Sequence, residues 1–377
     1  MSPDRGRGLS WRAIDRQGRR SSRAAGRIWT AIAILVTAFA AAPVLLSHDV
    51  YSYVDYARLG VLHGLDPYVF PPAAAPTDPI YPQVEWTEAT SAYGPLFTLL
   101  TYPLAWLPPA AAVAALKAAA ALSVLGIAAL VYRVAPSRGV AALPAAAFVA
   151  LNPLVLIHVV GGAHNDGLAI LLTMVAVAAL LSAREAAGGA ALAAAVAVKS
   201  STAILAPFAL LAAARIRHSP HRRGVNVGSA VTESGGPRFL LGAAAAALAI
   251  GFAAHAAFGW GWLSTIGLAG ENQSRTSQMS VPITTARLTG LDPGPVRAAA
   301  IVLFSATFVY LLARTWQGAD WLRMAAWATF ALLLATAWLL PWYLIWLLPL
   351  AALSRDRPLQ LLTLALTAYQ LPARMPL

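Results

Sequence analysis

Residues His48-Asp49-Val50-Tyr51-Ser52-Tyr53-Val54-Asp55-Tyr56 place two carboxylates and three tyrosines directly after the first apolar stretch of the chain. At a lipid–water boundary such a cluster can hold a polar substrate through its hydroxyls and offer a carboxylate as proton acceptor beside a hydrophobic one. It points to chemistry on a lipid-linked substrate. Asp49 and Asp55 are six residues apart, about 120° from one another around a helix and so on different faces, and at most one of them serves as the base. The plainer reading of Asp49 is a solvated interfacial acid that helps set topology. For Tyr51, Tyr53 and Tyr56 the plainer reading is an interfacial aromatic belt.

Three further polar groups interrupt apolar runs: Gly161 to Gly167 with His164-Asn165-Asp166, Lys199-Ser200-Ser201, and the loop from Gly259 to Arg297. Ionisable groups at membrane depth cost about 2.5–3.5 kcal/mol each, so their retention asks for a reason. His164, Asn165 and Asp166 can contact a sugar or phosphate, or else Asn165 or Asp166 simply caps a helix beginning at Gly167. Lys199 is one of only two lysines in the chain and would neutralise a phosphate where two short helices meet. Its alternative is snorkelling to the interface, the reading adopted for Lys117. Arg275 and Arg287 supply further cations, with loop solvation as the default. One histidine with one acid does not make a ligand set, and the chain has no cysteine, so no metal site is expected.

What must position these groups is a membrane protein. Of 377 residues 59% are hydrophobic and 11% charged, with mean hydropathy +0.65, which excludes disorder and a soluble enzyme. The net charge of +12 does not indicate nucleic acid, because the arginines gather at the N-terminus and in short loops. Residues 1–27 read as a cytoplasmic, Arg-rich, disordered tail, and residues 28–377 as a single transmembrane catalytic domain. The uncharged stretch 28–46 is long enough to span. A first outer loop, 47–109, follows and carries a proline-broken segment, 94–107, that lies along or dips into the outer face. Later spans are expected at 110–131, 140–160, 167–183, 187–199, 200–214, 239–258, 296–313, 323–340, 342–354 and 358–372. The breaks at Lys199 and Pro341 are the places where re-entrant half-helices could replace full spans. The fold class is therefore an all-α polytopic bundle of about eleven transmembrane helices with a long, partly helical first outer loop. Its N-terminus lies in the cytoplasm and its polar clusters face outside.

The run His48 to Tyr53, followed by Gly64-Leu65-Asp66-Pro67-Tyr68 and Tyr93-Gly94-Pro95-Leu96, resembles the first outer loop of bacterial polyprenol-phosphomannose-dependent α-1,6-mannosyltransferases, which are GT-C membrane glycosyltransferases. The similarity continues through Leu151-Asn152-Pro153-Leu154, Gly162 to Asp166, Lys199 and Leu340-Pro341-Trp342-Tyr343-Leu344. The resemblance implies a GT-C-like bundle in a bacterial plasma membrane, a polyprenyl-phosphate sugar donor with mannose as the sugar, and a glycan or glycolipid acceptor of the cell envelope, such as a lipoglycan. It also implies an inverting transfer that needs no metal or other cofactor, with Asp49 at the position of the base. Tyr51, Tyr53, Asp55, Tyr93, His164, Asn165, Asp166, Lys199 and Arg275 would then contact substrate. The rival expectations are a transporter or flippase of lipid-linked sugars and a related enzyme using another polyprenyl-phosphate sugar.

Overall fold

A computed structural model describes residues 11–215, 234–267 and 274–373, with side chains from Ala24 onward. Every regular element among the described residues is helical. The helices are α1 (Trp11–Ala41), α2 (Asp49–Leu62), α3 (Pro95–Thr101), α4 (Pro109–Val134), α5 (Ala142–Ala150), α6 (Asp166–Leu181), α7 (Glu185–Val198), α8 (Ala206–Ala214) and α9 (Gly236–Phe258). They continue with α10 (Val281–Thr289), α11 (Pro293–Trp316), α12 (Trp321–Ala335), α13 (Leu348–Leu353) and α14 (Arg357–Gln370). Among the described residues four stretches are long and apolar enough to cross a bilayer: Ala24–Ala41 in α1, Pro109–Arg138, Gly236–Phe258 and Pro293–Trp316. Five further apolar helical stretches, Asp166–Leu181, Glu185–Val198, Ser200–Ala214, Trp321–Ala335 and Pro341–Leu353, are shorter, so the described residues form an all-helical membrane protein in which the expected regular spans are partly replaced by broken ones.

The breaks have local causes. The expected span 140–160 stops after Ala150 at Asn152-Pro153, where the Asn152 side chain accepts from Leu154 N, and resumes as a short π-helical turn, Val155–Val160. Lys199 is extended between α7 and a 3-10 turn, Ser200–Leu205. α12 ends at Ala335, and Pro341 starts the 3-10 turn Pro341–Trp346 that leads to α13. The proline-broken segment 94–107 is the seven-residue α3 followed by a 3-10 turn, too short to span. The sequence expectation fails at the other end, where residues 11–27, assigned to a disordered tail, continue α1 toward its N-terminus. Alanine and arginine are good helix formers, and extending an existing helix costs no new nucleation.

Packing separates an inner from an outer shell. Ile127 and Ala128 of α4, Val149 of α5, Met174 of α6 and Leu350 of α13 are fully buried in one apolar core. α9 and α11 instead expose long apolar faces, with Leu248 and Phe252 on one and Val302 and Leu303 on the other, as helices bordering lipid do. α7 and α9 approach so closely that a Cβ on Gly242 would lie 1.9 Å from the Ala186 carbonyl. Lys117, expected to snorkel, donates instead to the carbonyls of Ala42 and Pro43, backbone acceptors left free where α1 ends. Asp292, Asp320 and Asp356 cap α11, α12 and α14 with their side chains. Asp320 also pairs with Arg138, and Asp356 accepts from Arg323 at 2.7 Å and Trp327 at 2.9 Å.

The first loop is tied down by its own polar groups. Asp78, 4% exposed, accepts from Arg58 of α2 at 2.8 Å and pairs with His63 at 2.7 Å, while Arg58 also donates to the Ala105 carbonyl. The Tyr56 hydroxyl donates to the Ala89 carbonyl and that of Tyr68 to the Tyr93 carbonyl, drawing residues 89–93 against α2 and α3. A cavity of about 990 Å³ lies below this loop.

Candidate functional site

α2 begins at Asp49, and the helical geometry that separates Asp49 from Asp55 gives them different surroundings. Asp49 lines the cavity. Asp55 does not: it is 1% exposed, both its carboxylate oxygens lack a hydrogen-bond partner, and the charges acting on it are those of Asp78, His63 and Arg58. Asp55, expected among the substrate contacts, therefore stands outside the cavity lining.

The polar end of the cavity is assembled from five separate parts of the chain. α2 supplies Asp49, the first loop Trp86 and Tyr93, the turn before α6 Asn165, the α7 terminus Lys199, and residues 275–346 supply Arg275, Trp338, Trp342, Tyr343 and Trp346. Gly94 is what lets the first loop reach α7. Its N–H donates to the Val198 carbonyl, and a Cβ there would lie 2.2 Å from the Ala197 carbonyl, so only glycine allows Tyr93 to sit beside Lys199.

Lys199 donates to Asp166 Oδ2 at 2.7 Å, and the Trp346 indole donates to Asp166 Oδ1 at 2.6 Å. Asp166, expected among the substrate contacts, is fully buried outside the cavity lining with both oxygens engaged, and it holds Lys199 in place. It starts α6 without capping it, and neither does Asn165. The ammonium of Lys199 lies 5.1 Å from the Tyr343 ring centroid and 5.7 Å from that of Trp346, with donors left over for an anion. Arg275 stands over Trp86 at 5.2 Å and Trp338 at 6.0 Å on the same cavity, and is exposed.

His164 lies under the site. Its ring stacks on Trp342 at 3.7 Å with 17° between the planes, and its Nδ1 is 3.6 Å from Asp49 Oδ2, beyond a direct hydrogen bond. Ala163 just before it has φ +56, a left-handed conformation costly for a residue with a Cβ, which turns the chain sharply and fixes the directions of His164 and Asn165. Tyr53 is 1% exposed and packs edge-on against Tyr93 at 4.6 Å and Phe97 at 4.9 Å; it and Tyr51 belong to the wall behind the cavity, not to its lining.

Burial raises the Asp49 carboxyl to about 6, opposed by Lys199 and by a hydrogen bond from Trp86. It is therefore mostly ionised near neutral pH yet more basic than an ordinary carboxylate, the balance wanted in a general base. Burial, together with Lys199 and His158, pushes His164 well below its usual value, so its imidazole is neutral. Burial also raises Asp55 to about 7, with the Asp78 charge adding to it. Among the described residues no group of three or more His, Asp or Glu side chains could hold a metal ion.

Below the polar end the cavity continues as an apolar arm. One face of α7 (Gly189, Leu192, Ala193, Val196), one face of α9 (Phe239, Ala243, Ala247, Ile250) and Leu332 of α12 form its walls. From Phe239 to Gly251 the arm follows α9 for about 18 Å at 1.5 Å per residue. Of the residues expected to contact substrate, Asp49, Tyr93, Asn165, Lys199 and Arg275 line the cavity; Tyr51, Tyr53, Asp55, His164 and Asp166 do not. Missed in the sequence were Trp86, Glu88, Trp338 and Trp346 and the whole apolar arm. The available signal was the crowding of Trp338, Trp342, Tyr343 and Trp346 around one helix break.

A family model described as "Alpha-(1->6)-mannopyranosyltransferase, N-terminal domain" matches residues 8–215. The chain is 31% identical over 342 residues to alpha-(1->6)-mannopyranosyltransferase A of Mycobacterium tuberculosis (strain ATCC 25618 / H37Rv), covering 82% of this chain and 63% of that protein. It is 30% identical over 184 residues to alpha-(1->6)-mannopyranosyltransferase A of Corynebacterium glutamicum, covering 48% of this chain and 37% of the relative. The chain thus spans less than two thirds of the length of the curated relatives it matches. No solved structure matches it.

Proposed function

The chain belongs to the α-(1→6)-mannopyranosyltransferase family, and on that premise we propose that it transfers a mannosyl group from a polyprenyl-phosphate donor to a hydroxyl of a cell-envelope glycan or glycolipid on the outer face of the membrane. The observation that carries this reading is that one cavity joins two carboxylates, Asp49 and Glu88, two cations and an apolar arm about 18 Å long. A lipid-linked sugar phosphate has the complementary parts in the same order. Its hydrocarbon lies along the groove lined by α7, α9 and Leu332, held there by van der Waals contact with their apolar side chains. Its phosphate lies at Lys199 and Arg275, and its sugar lies toward Asp49.

In the transfer step the acceptor hydroxyl loses its proton to Asp49 as its oxygen bonds to the anomeric carbon from the face opposite the phosphate. The anomeric carbon–oxygen bond breaks, its electron pair leaves with the polyprenyl phosphate, and configuration inverts. The leaving phosphate monoester needs no general acid, only the positive charge of Lys199 and Arg275 where negative charge develops. Asp166 keeps Lys199 at that place.

The test is transfer from a radiolabelled polyprenyl-phosphate sugar panel by the purified protein in proteoliposomes, with linkage analysis of the product. An α-linked mannosyl product is expected. Movement of the donor across the bilayer without product would replace the enzyme with a transporter, and preference for another sugar would correct the donor. The membrane face is read separately by Thr77→Cys, since Thr77 is exposed in the first loop and the chain has no native cysteine. An impermeant maleimide should label it in intact cells; labelling only after permeabilisation would overturn the orientation.

A further inference from the structure

Asn165 lines the cavity, is 4% exposed, and has both its carboxamide oxygen and its carboxamide nitrogen buried without a hydrogen-bond partner. Its neighbours in sequence are committed elsewhere: Asp166 holds Lys199 and Trp346, and the His164 ring is stacked on Trp342. The strained Ala163 turn and that stack fix the backbone on which Asn165 stands. A buried carboxamide left unmet is costly, so its place in the wall of a cavity is made good by what the cavity binds.

The chemistry of the amide narrows what that is. One side accepts a hydrogen bond and the other donates, a few ångströms apart. An ionised phosphate has no proton to give the oxygen, and a hydrocarbon satisfies neither side. Two adjacent hydroxyls of a pyranose ring satisfy both, because each hydroxyl donates and accepts. Asn165 also follows His164, whose Nδ1 is 3.6 Å from Asp49 Oδ2, so the amide stands near the base and not along the apolar arm. We propose that Asn165 reads a pair of vicinal hydroxyls on the pyranose held beside Asp49, and so determines which hexose is accepted. The proposal rests on the glycosyl-transfer reading above and adds a specificity residue to it.

The experiment is a substrate–protein cycle with the full-length protein in proteoliposomes. Singly deoxygenated sugars are presented in two arms, on the polyprenyl-phosphate donor and on the acceptor glycoside, to wild type and Asn165→Ala. Removing one of two adjacent hydroxyls is expected to cost wild type on the order of 10- to 100-fold in kcat/KM, because the amide is left unpaired. The same deoxygenation should cost Asn165→Ala no more than a few-fold, and the arm in which this occurs identifies the sugar that is read. A purely structural asparagine would lower turnover of every substrate alike and leave the deoxygenation penalties intact, which would overturn the assignment. Asn165→Asp keeps the side-chain shape and removes the donor, so it carries the same comparison if the alanine variant does not fold. Wild type that transfers no sugar at all would refute the transfer reading itself, a result distinct from unchanged penalties in an active enzyme.

Discussion

The two faces of α2 carry one carboxylate each, and they behave differently although Asp49 and Asp55 are both buried and both held above the usual carboxylate range. Around Asp49 the leading charge is Lys199, with Asp166 and Glu85 acting in the opposite sense, and the group lines an open cavity, ionisable near neutrality and within reach of a substrate. Around Asp55 the cations Arg58 and His63 are already paired with Asp78, whose like charge opposes its ionisation, and Asp55 itself has no hydrogen bond. A raised carboxyl is thus not by itself a sign of catalysis. What separates the two is whether the space beside the oxygens is cavity or packed protein.

The sharpest way to break this comparison is the pair of isosteric variants. Asp49→Asn should lose about 10²- to 10⁴-fold in kcat, since it keeps shape and hydrogen bonding but cannot accept a proton. Asp55→Asn should stay within a few-fold of wild type. Loss in Asp55→Asn with a working Asp49→Asn would exchange the roles.

Next in size is Lys199→Met, which keeps the apolar stem and removes the charge. Loss of the cation that faces the phosphate should cost on the order of 10²-fold in kcat/KM and weaken donor binding. Lys199 also pulls Asp49 down, so its removal should move the acidic limb of the pH–rate profile from about 6 to higher pH. The direction follows from the base: only ionised Asp49 accepts a proton, so activity rises as pH passes its pKa. An unchanged limb and unchanged donor titration would leave Lys199 as a snorkelling side chain.

Asp166→Asn should cost about tenfold by releasing Lys199 while keeping an acceptor for Trp346. Added to Lys199→Met it should cost nothing further, since both act through the same ammonium. Full additivity would show that Asp166 acts on its own.

The smallest effect concerns stability. With its folded pKa raised to about 7 against an ordinary 3.8, Asp55 binds more protons in the folded chain than in the unfolded one between these values, so its contribution to stability falls as pH rises through that window. Asp55→Asn should therefore stabilise the protein on the order of 1–3 kcal/mol above pH 7 and do little near pH 4. Thermal unfolding in detergent at pH 5 and pH 8 measures it; equal shifts at both would mean that Asp55 is not held protonated.

Composition, hydropathy and the arginine bias were enough to determine an all-helical membrane protein, because the cost of exposing backbone and charge to lipid is paid residue by residue and is written in the chain's local pattern. Two of the three helix breaks were legible for the same reason, as a lysine and a proline in apolar runs, while the break at Asn152-Pro153 fell inside an expected span. Asp49, Lys199 and Arg275 stood out as charges beside apolar stretches, but their convergence on one cavity did not, nor did the separation of Asp55 and Asp166 from it. Whether a polar side chain is spent on a neighbour or left for a substrate depends on contacts between residues such as Lys199 and Asp166, 33 positions apart, or Asp166 and Trp346, 180 apart. Such pairings are set by how broken helices pack, and only the tertiary structure decided them.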